Sequence, residues 1–197
     1  MLRHVTVVSL EQAVAAPLAT RLLASDGARV IKFERNEGDF ARQYDRFAGG
    51  ASSYFTWLNF GKESCVVDIK RDTDFVKKVI GRADVVVQNL APGSLQKIGL
   101  DSQTLRKEKH DLITLDISGY GDDSKRKAYD LLITAEAGLC AVTGSESSGP
   151  GRVGVSIADI MTGRVAYGAV LRALLEREQS GTGSSISISL FDVVAEM

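Results

Sequence analysis

The chain has 197 residues, 44% of them hydrophobic and 25% charged, a length and make-up that suit one folded domain with its own core and exclude a disordered chain. With 24 basic and 25 acidic residues the formal net charge is −1, which argues against broad electrostatic binding to nucleic acid or to an anionic membrane. Cys65 and Cys140 lie far apart without CxxC spacing, so neither a disulfide framework nor a metal site is expected, and a reducing compartment fits. His4 and His110 are isolated and read as structural or surface residues. No signal-peptide pattern opens the chain and no stretch reaches the length of a membrane span, so a soluble cytoplasmic protein is expected.

"HVTVVSL" (4–10) predicts a strand, and "PLATRLLASDG" (17–27) a helix with Pro17 in its first turn and Gly27 at its stop. "ARVIKFE" (28–34) is the next strand. A polar, aromatic-bearing connection over 36–64 leads to a strand at "CVVDIK" (65–70). "DTDFVKKVIGRA" (72–83) has amphipathic helical spacing, with Asp72 or Thr73 as its cap. Strands follow over 84–90 and 111–118, separated by a helix over 102–110. Helical patterns over 128–142 and 159–178 precede a last strand, "SSISISL" (184–190). "FDVVAEM" then opens a further helix, so the chain reads as a fragment or a shortened relative of something longer. Helices alternating with almost wholly apolar strands predict an α/β fold, its parallel sheet covered on both faces.

In such a sheet, ligands bind beyond the carboxyl ends of the strands. The first strand is followed by "EQAVAAP", which lacks GxGxxG, so a dinucleotide finds no support there. Basic residues recur at the other strand ends: Arg35 and Arg42, Lys70 and Arg71, Lys97 near Asn89, then Lys125, Arg126 and Lys127. Four strand ends of one sign on a near-neutral chain suit the phosphates of a nucleotide. For any single residue, an ordinary charged loop is the better explanation; it is the recurrence at four strand ends that sets the ligand reading level with it.

"RVGVSIADIMTG" (152–163) sets Asp159 among Val155, Ile157, Ile160 and Met161. A carboxylate there costs free energy unless it is paired or caps a helix. Ser156 or Asp159 could cap the helix that follows, or Asp159 could be a nucleophile; the residues alone leave both open. A helix start would lower its pKa and keep it ionised. Tyr129 and Asp130 could begin a helix in the same way.

Successive blocks, "EQAVAAPLATRLLASDGARVIKFER", "GDFAR", "NFGKESCVVDIK", "ADVVVQNLAPGSLQKIGL", "SGYG…KAYD" and "VGVSIADIMTG", resemble the class III CoA-transferases (the CaiB–BaiF family) in order over essentially the whole chain. The resemblance implies the Rossmann-like large domain of that family over residues 1–197, without the second, small domain and the glycine-rich loop of longer relatives. It implies an interlocked homodimer and transfer of CoA from an acyl-CoA thioester to a small carboxylic acid. The family's catalytic aspartate falls on Asp159, which would form an aspartyl anhydride and then an enzyme–CoA thioester. Its CoA contacts fall on Arg35, Val67, Lys70, Asn89, Leu90, Lys97 and Lys127. Val14 replaces a residue that is polar in some members, and Leu90 one that is often aromatic. Related racemases carry a histidine thirty positions before the aspartate; here that position is Tyr129, as in transferases, and Tyr129 is placed in the catalytic site. The wording of "LEQAVAAP", "GDFARQYD" and "QNLAPG" is similar to a branch acting on short dicarboxylates (itaconate, mesaconate, malate or succinate). A CoA-binding module without catalysis, or a racemase-like enzyme, is the alternative.

Overall fold

A computed structural model describes residues 1–121, 124 and 126–197. Six strands, β1 (Thr6–Leu10), β2 (Arg29–Glu34), β3 (Glu63–Val66), β4 (Val85–Gln88), β5 (Ile113–Ser118) and β6 (Ser185–Ser189), form one sheet. All pairings are parallel and the order is β3-β2-β1-β4-β5-β6. This is the order of doubly wound nucleotide-binding folds, and it places the switch point, and a crevice, between β1 and β4.

Strand residues alternate between two cores. Val7, Val85, Val87, Ile113 and Leu115 face α1 (Ala15–Ser25), α5 (Asp130–Glu136), α7 (Ile157–Ser180) and α8 (Leu190–Ala195). Val8, Phe33 and Val86 face α3 (Thr73–Ile80) and α4 (Ser102–Glu108). With one residue in two pointing to each side, both faces must be apolar, which is why these strands carry almost no polar alternation. Alpha-helix α7 lies along α1, and Gly163 leaves no room between them: a Cβ there would stand 2.7 Å from the carbonyl oxygen of Ala15.

Several expected boundaries move, among them the strand expected over 65–70, which is β3 at Glu63–Val66. Helix 128–142 is two helices, α5 and α6 (Leu139–Thr143), because Gly138 takes φ +86° between them. Helix α7 starts two residues before Asp159 and stops at Gly181, φ +70°. The 36–64 connection contains a 3₁₀ turn (Phe40–Gln43) and α2 (Ser53–Asn59). Alpha-helix α2 is capped by Ser52, whose hydroxyl accepts from the Phe55 N–H, and by Asp45, whose carboxylate accepts from the Ser53 N–H at 2.7 Å.

Candidate active site

Beyond the carboxyl ends of β1, β2 and β3 lies a hollow of about 660 Å³ lined by Arg35, Val67, Lys70 and Leu90. A second, of about 690 Å³, is lined by Asn89, Leu90, Lys127, Tyr129, Asp130 and Asp159. Gln12 and Leu90 line both, so the two hollows meet over the end of β1. Six of the seven residues expected to hold CoA therefore border one two-part groove, together with both expected catalytic residues. Lys97 lies in an exposed 3₁₀ turn and borders neither hollow.

The basic set is smaller than the sequence suggests. Arg42 grips Glu34 through two bonds of 2.8 and 2.9 Å and stacks over the Phe55 ring. Arg126 pairs with Glu136 and covers Tyr120. Both guanidinium groups are thus held by internal carboxylates. Lys125 falls outside the described residues. Arg35, Lys70 and Lys127 are exposed at the rim of the groove.

The turn after β1 is held rigidly. Ala13 takes φ +66°, a strained value for a residue with a Cβ. Its N–H donates to Asp39, and the Asn89 side chain both accepts from the Gln12 N–H at 2.9 Å and donates to the Gln12 carbonyl at 2.8 Å. Asn89 is therefore a brace of the groove wall. Val14 is buried behind it.

A buried ion cluster lies beneath, and nothing in the sequence singled it out. Lys62 donates to Glu11 at 2.6 Å and Lys32 to Asp39 at 2.6 Å, all four side chains being sealed from solvent. Burial pulls the Lys62 ammonium down to about 8, although Glu11 opposes the shift. Burial also works against the Glu34 carboxylate, but the Arg42 guanidinium, the Ser64 hydroxyl and the Asp39 N–H outweigh it and hold Glu34 at about 2. The cluster anchors the 3₁₀ turn that brings Phe40 and Tyr44 to the groove. Their i, i+4 spacing was the available signal.

Asp159 is partly buried in the first turn of α7. Contrary to the expected lowering by the helix start, its carboxyl is pushed up to about 7, first by burial and then by the neighbouring Asp130. Desolvation and a like charge outweigh the helix end here. Nor does either expected cap operate: Ser156 makes no side-chain cap bond. Tyr129, at the start of α5, is 65% exposed. A carboxyl whose pKa is shifted by burial and by a neighbouring charge, in a groove with a basic rim, marks this end of the groove as the candidate reactive centre.

The family model described as CoA-transferase family III matches residues 2–197. The chain belongs to that family. It is 38% identical over 196 residues to a succinyl-CoA:glutarate CoA-transferase of Mus musculus, covering 96% of this chain and 45% of the relative. A succinyl-CoA:mesaconate CoA-transferase of Haloarcula hispanica is 32% identical over 97% of this chain and 52% of its own length. The crystal structure of a CaiB/BaiF family protein from Brucella suis superposes with a TM-score of 0.92 at 33% identity, over 98% of this chain and 54% of that one. The chain spans about half the length of the curated relatives it matches. Among the described residues no helix is long and apolar enough to cross a membrane, and no group of three metal-ligating side chains occurs.

Proposed function

We propose that this domain, as the N-terminal part of a longer architecture, moves CoA from an acyl-CoA to a short dicarboxylate. The observation that carries the proposal is the groove: Asp159 at one end, Arg35 and Lys70 at the other, meeting over Gln12 and Leu90. Arg35, Lys70 and Lys127 would pair with CoA phosphates, and Val67 and Leu90 would pack against apolar parts of the carrier.

The Asp159 carboxylate attacks the donor thioester carbonyl, the C–S bond breaks, and CoA leaves as thiolate. The thiolate then attacks the aspartyl carbonyl of the anhydride, releasing the donor acid as carboxylate and leaving CoA on Asp159. The acceptor carboxylate attacks that thioester, and the returning thiolate forms the new acyl-CoA and frees Asp159. Partial burial suits the first step, because a desolvated carboxylate of raised pKa is the stronger nucleophile. With Tyr129 at the position where racemases carry a histidine, the imidazole that the racemase reading needs is missing. The short-dicarboxylate acceptor rests on the substrates named for the relatives. An interlocked homodimer and a cytoplasmic location belong to the same proposal.

Mass spectrometry after incubation with succinyl-CoA tests it. A CoA-sized adduct on Asp159, absent from Asp159→Asn, is the expected result. CoA binding with no adduct points to a non-catalytic module, and solvent deuterium entering the α-carbon of a 2-methylacyl-CoA to a racemase.

A further inference from the structure

Asp130 is the first residue of α5 and borders the same hollow as Asp159. Its Oδ1 accepts a hydrogen bond from the backbone N–H of Asp159 at 3.2 Å. That N–H is one of those a helix start cannot satisfy internally, and Ser156 leaves it unmet. The first turn of α7 is therefore capped by a carboxylate from another helix, 29 positions upstream. A local serine would satisfy the N–H and nothing more. Asp130 also ties the start of α5 to α7 at the point where Asp159 emerges.

We propose that Asp130 is a positioning residue for Asp159, capping from α5 the turn that carries the nucleophile and setting a second negative charge against it. The proposal rests on reading Asp159 as the nucleophile. The two effects are chemically separable. An asparagine at 130 keeps an acceptor oxygen and loses the charge; an alanine loses both. The other charged or titratable groups bordering the hollow with Asp159 are Tyr44, from the turn after β2, and Arg126, Lys127 and Tyr129, from the segment before α5. Burial, and then the Asp159 charge itself, hold the Tyr44 hydroxyl up at about 12, so it stays neutral near pH 7. Asp130 is the like-charged group among them, and its charge adds to burial in keeping the Asp159 carboxyl protonated at mild acidity.

The test uses the whole chain with carbon-13-labelled aspartate carboxyls, the Asp159 signal being assigned by its loss in Asp159→Asn. Its pH titration is followed in the wild type, Asp130→Asn and Asp130→Ala, beside the rate of adduct formation from succinyl-CoA. Asp130→Asn lowers the Asp159 midpoint by about one pH unit and keeps the rate above that midpoint within about threefold, because the cap survives. Asp130→Ala lowers the midpoint similarly, but its plateau rate falls about ten- to a hundredfold with CoA affinity unchanged, since the nucleophile is no longer held in place. An unmoved midpoint in Asp130→Asn overturns the proposal, as does a plateau rate in Asp130→Ala equal to that of Asp130→Asn. Should Asp130→Ala not fold, the Asp130→Asn midpoint decides. A wild-type chain that forms no adduct removes the nucleophile itself. An unmoved midpoint beside a normal adduct removes Asp130 alone.

Discussion

Lys32 Nζ lies 2.6 Å from Asp39 Oδ2, and solvent reaches neither side chain. The same ammonium donates to Asn59 of α2 at 3.0 Å, while Asp39 accepts from the Ala13 N–H at 3.1 Å and the Ala41 N–H at 2.9 Å. One buried pair thus joins β2, the strained turn after β1, the 3₁₀ turn and α2. These are the pieces that place Gln12, Phe40 and Tyr44 around Asp159.

Replacing Lys32 by methionine keeps the length of the side chain and takes from Asp39 its buried ion-pair partner. The expected cost is about 3–5 kcal/mol, read as a lower urea midpoint at constant slope. Arg29→Met, which breaks an ion pair with Glu63 in which both side chains are more than half exposed, leaves the urea midpoint nearly unmoved. Equal costs for the two variants would mean that the buried pair is not holding the turn.

Gly163 faces Ala15 and Leu18 with no room for a methyl group: its Cβ would meet the Ala15 carbonyl oxygen at 2.7 Å and the Leu18 Cβ at 2.9 Å. Gly163→Ala must therefore push α7 away from α1, at about 1–3 kcal/mol. Asp159 sits one turn earlier, so adduct formation should slow with it. Gly168 lies on the exposed side of the same helix with open space around it. There, alanine should stabilise by up to about 1 kcal/mol through helix propensity. Thermal melts of the two variants should move in opposite directions.

The parallel sheet was legible because "HVTVVSL", "DVVVQNL" and "DLITLDIS" are apolar at consecutive positions, a pattern that only a strand covered on both faces needs. The strand-end basic residues led to the groove for a similar reason, since ligand placement follows from sheet topology. What stayed hidden depends on partners distant in sequence. "ARVIKFE" shows a lysine, but not that Asp39 and Asn59 close over it. "ERNEGDFAR" shows two arginines, but not that Glu34 takes one of them. "SIADIM" suggests a cap made locally, whereas Asp130 supplies it from another helix. The raised Asp159 pKa has the same origin, because burial and Asp130 both come from outside the stretch.

Arg35 and Lys70 border the hollow that would take the phosphates. Arg35→Ala and Lys70→Ala should each weaken CoA binding about 3- to 30-fold, with the double variant near the product. Calorimetric titration at two salt concentrations checks the cause: wild-type affinity falls with added salt, and the double variant is less sensitive. A salt response left intact in the double variant would place the phosphates elsewhere.

Asp159 ties stability to pH in a direction that depends on its raised pKa. Unfolded, an aspartate titrates near about 3.9; folded, Asp159 titrates at about 7. Below both values each state carries the proton, and the group costs the fold nothing on this account. Between them the unfolded chain releases the proton first, so the folded state loses stability as pH rises. Above 7 the whole deficit is present. Asp159→Asn carries no charge at any pH and escapes it. The variant should therefore melt within about 2 °C of the wild type at pH 4 and about 3–8 °C above it at pH 8. Differential scanning calorimetry at the two pH values reads this directly. A variant less stable than the wild type at pH 8 would falsify the raised pKa, since an Asp159 ionised as readily as in the unfolded chain gives no pH-dependent gain when neutralised.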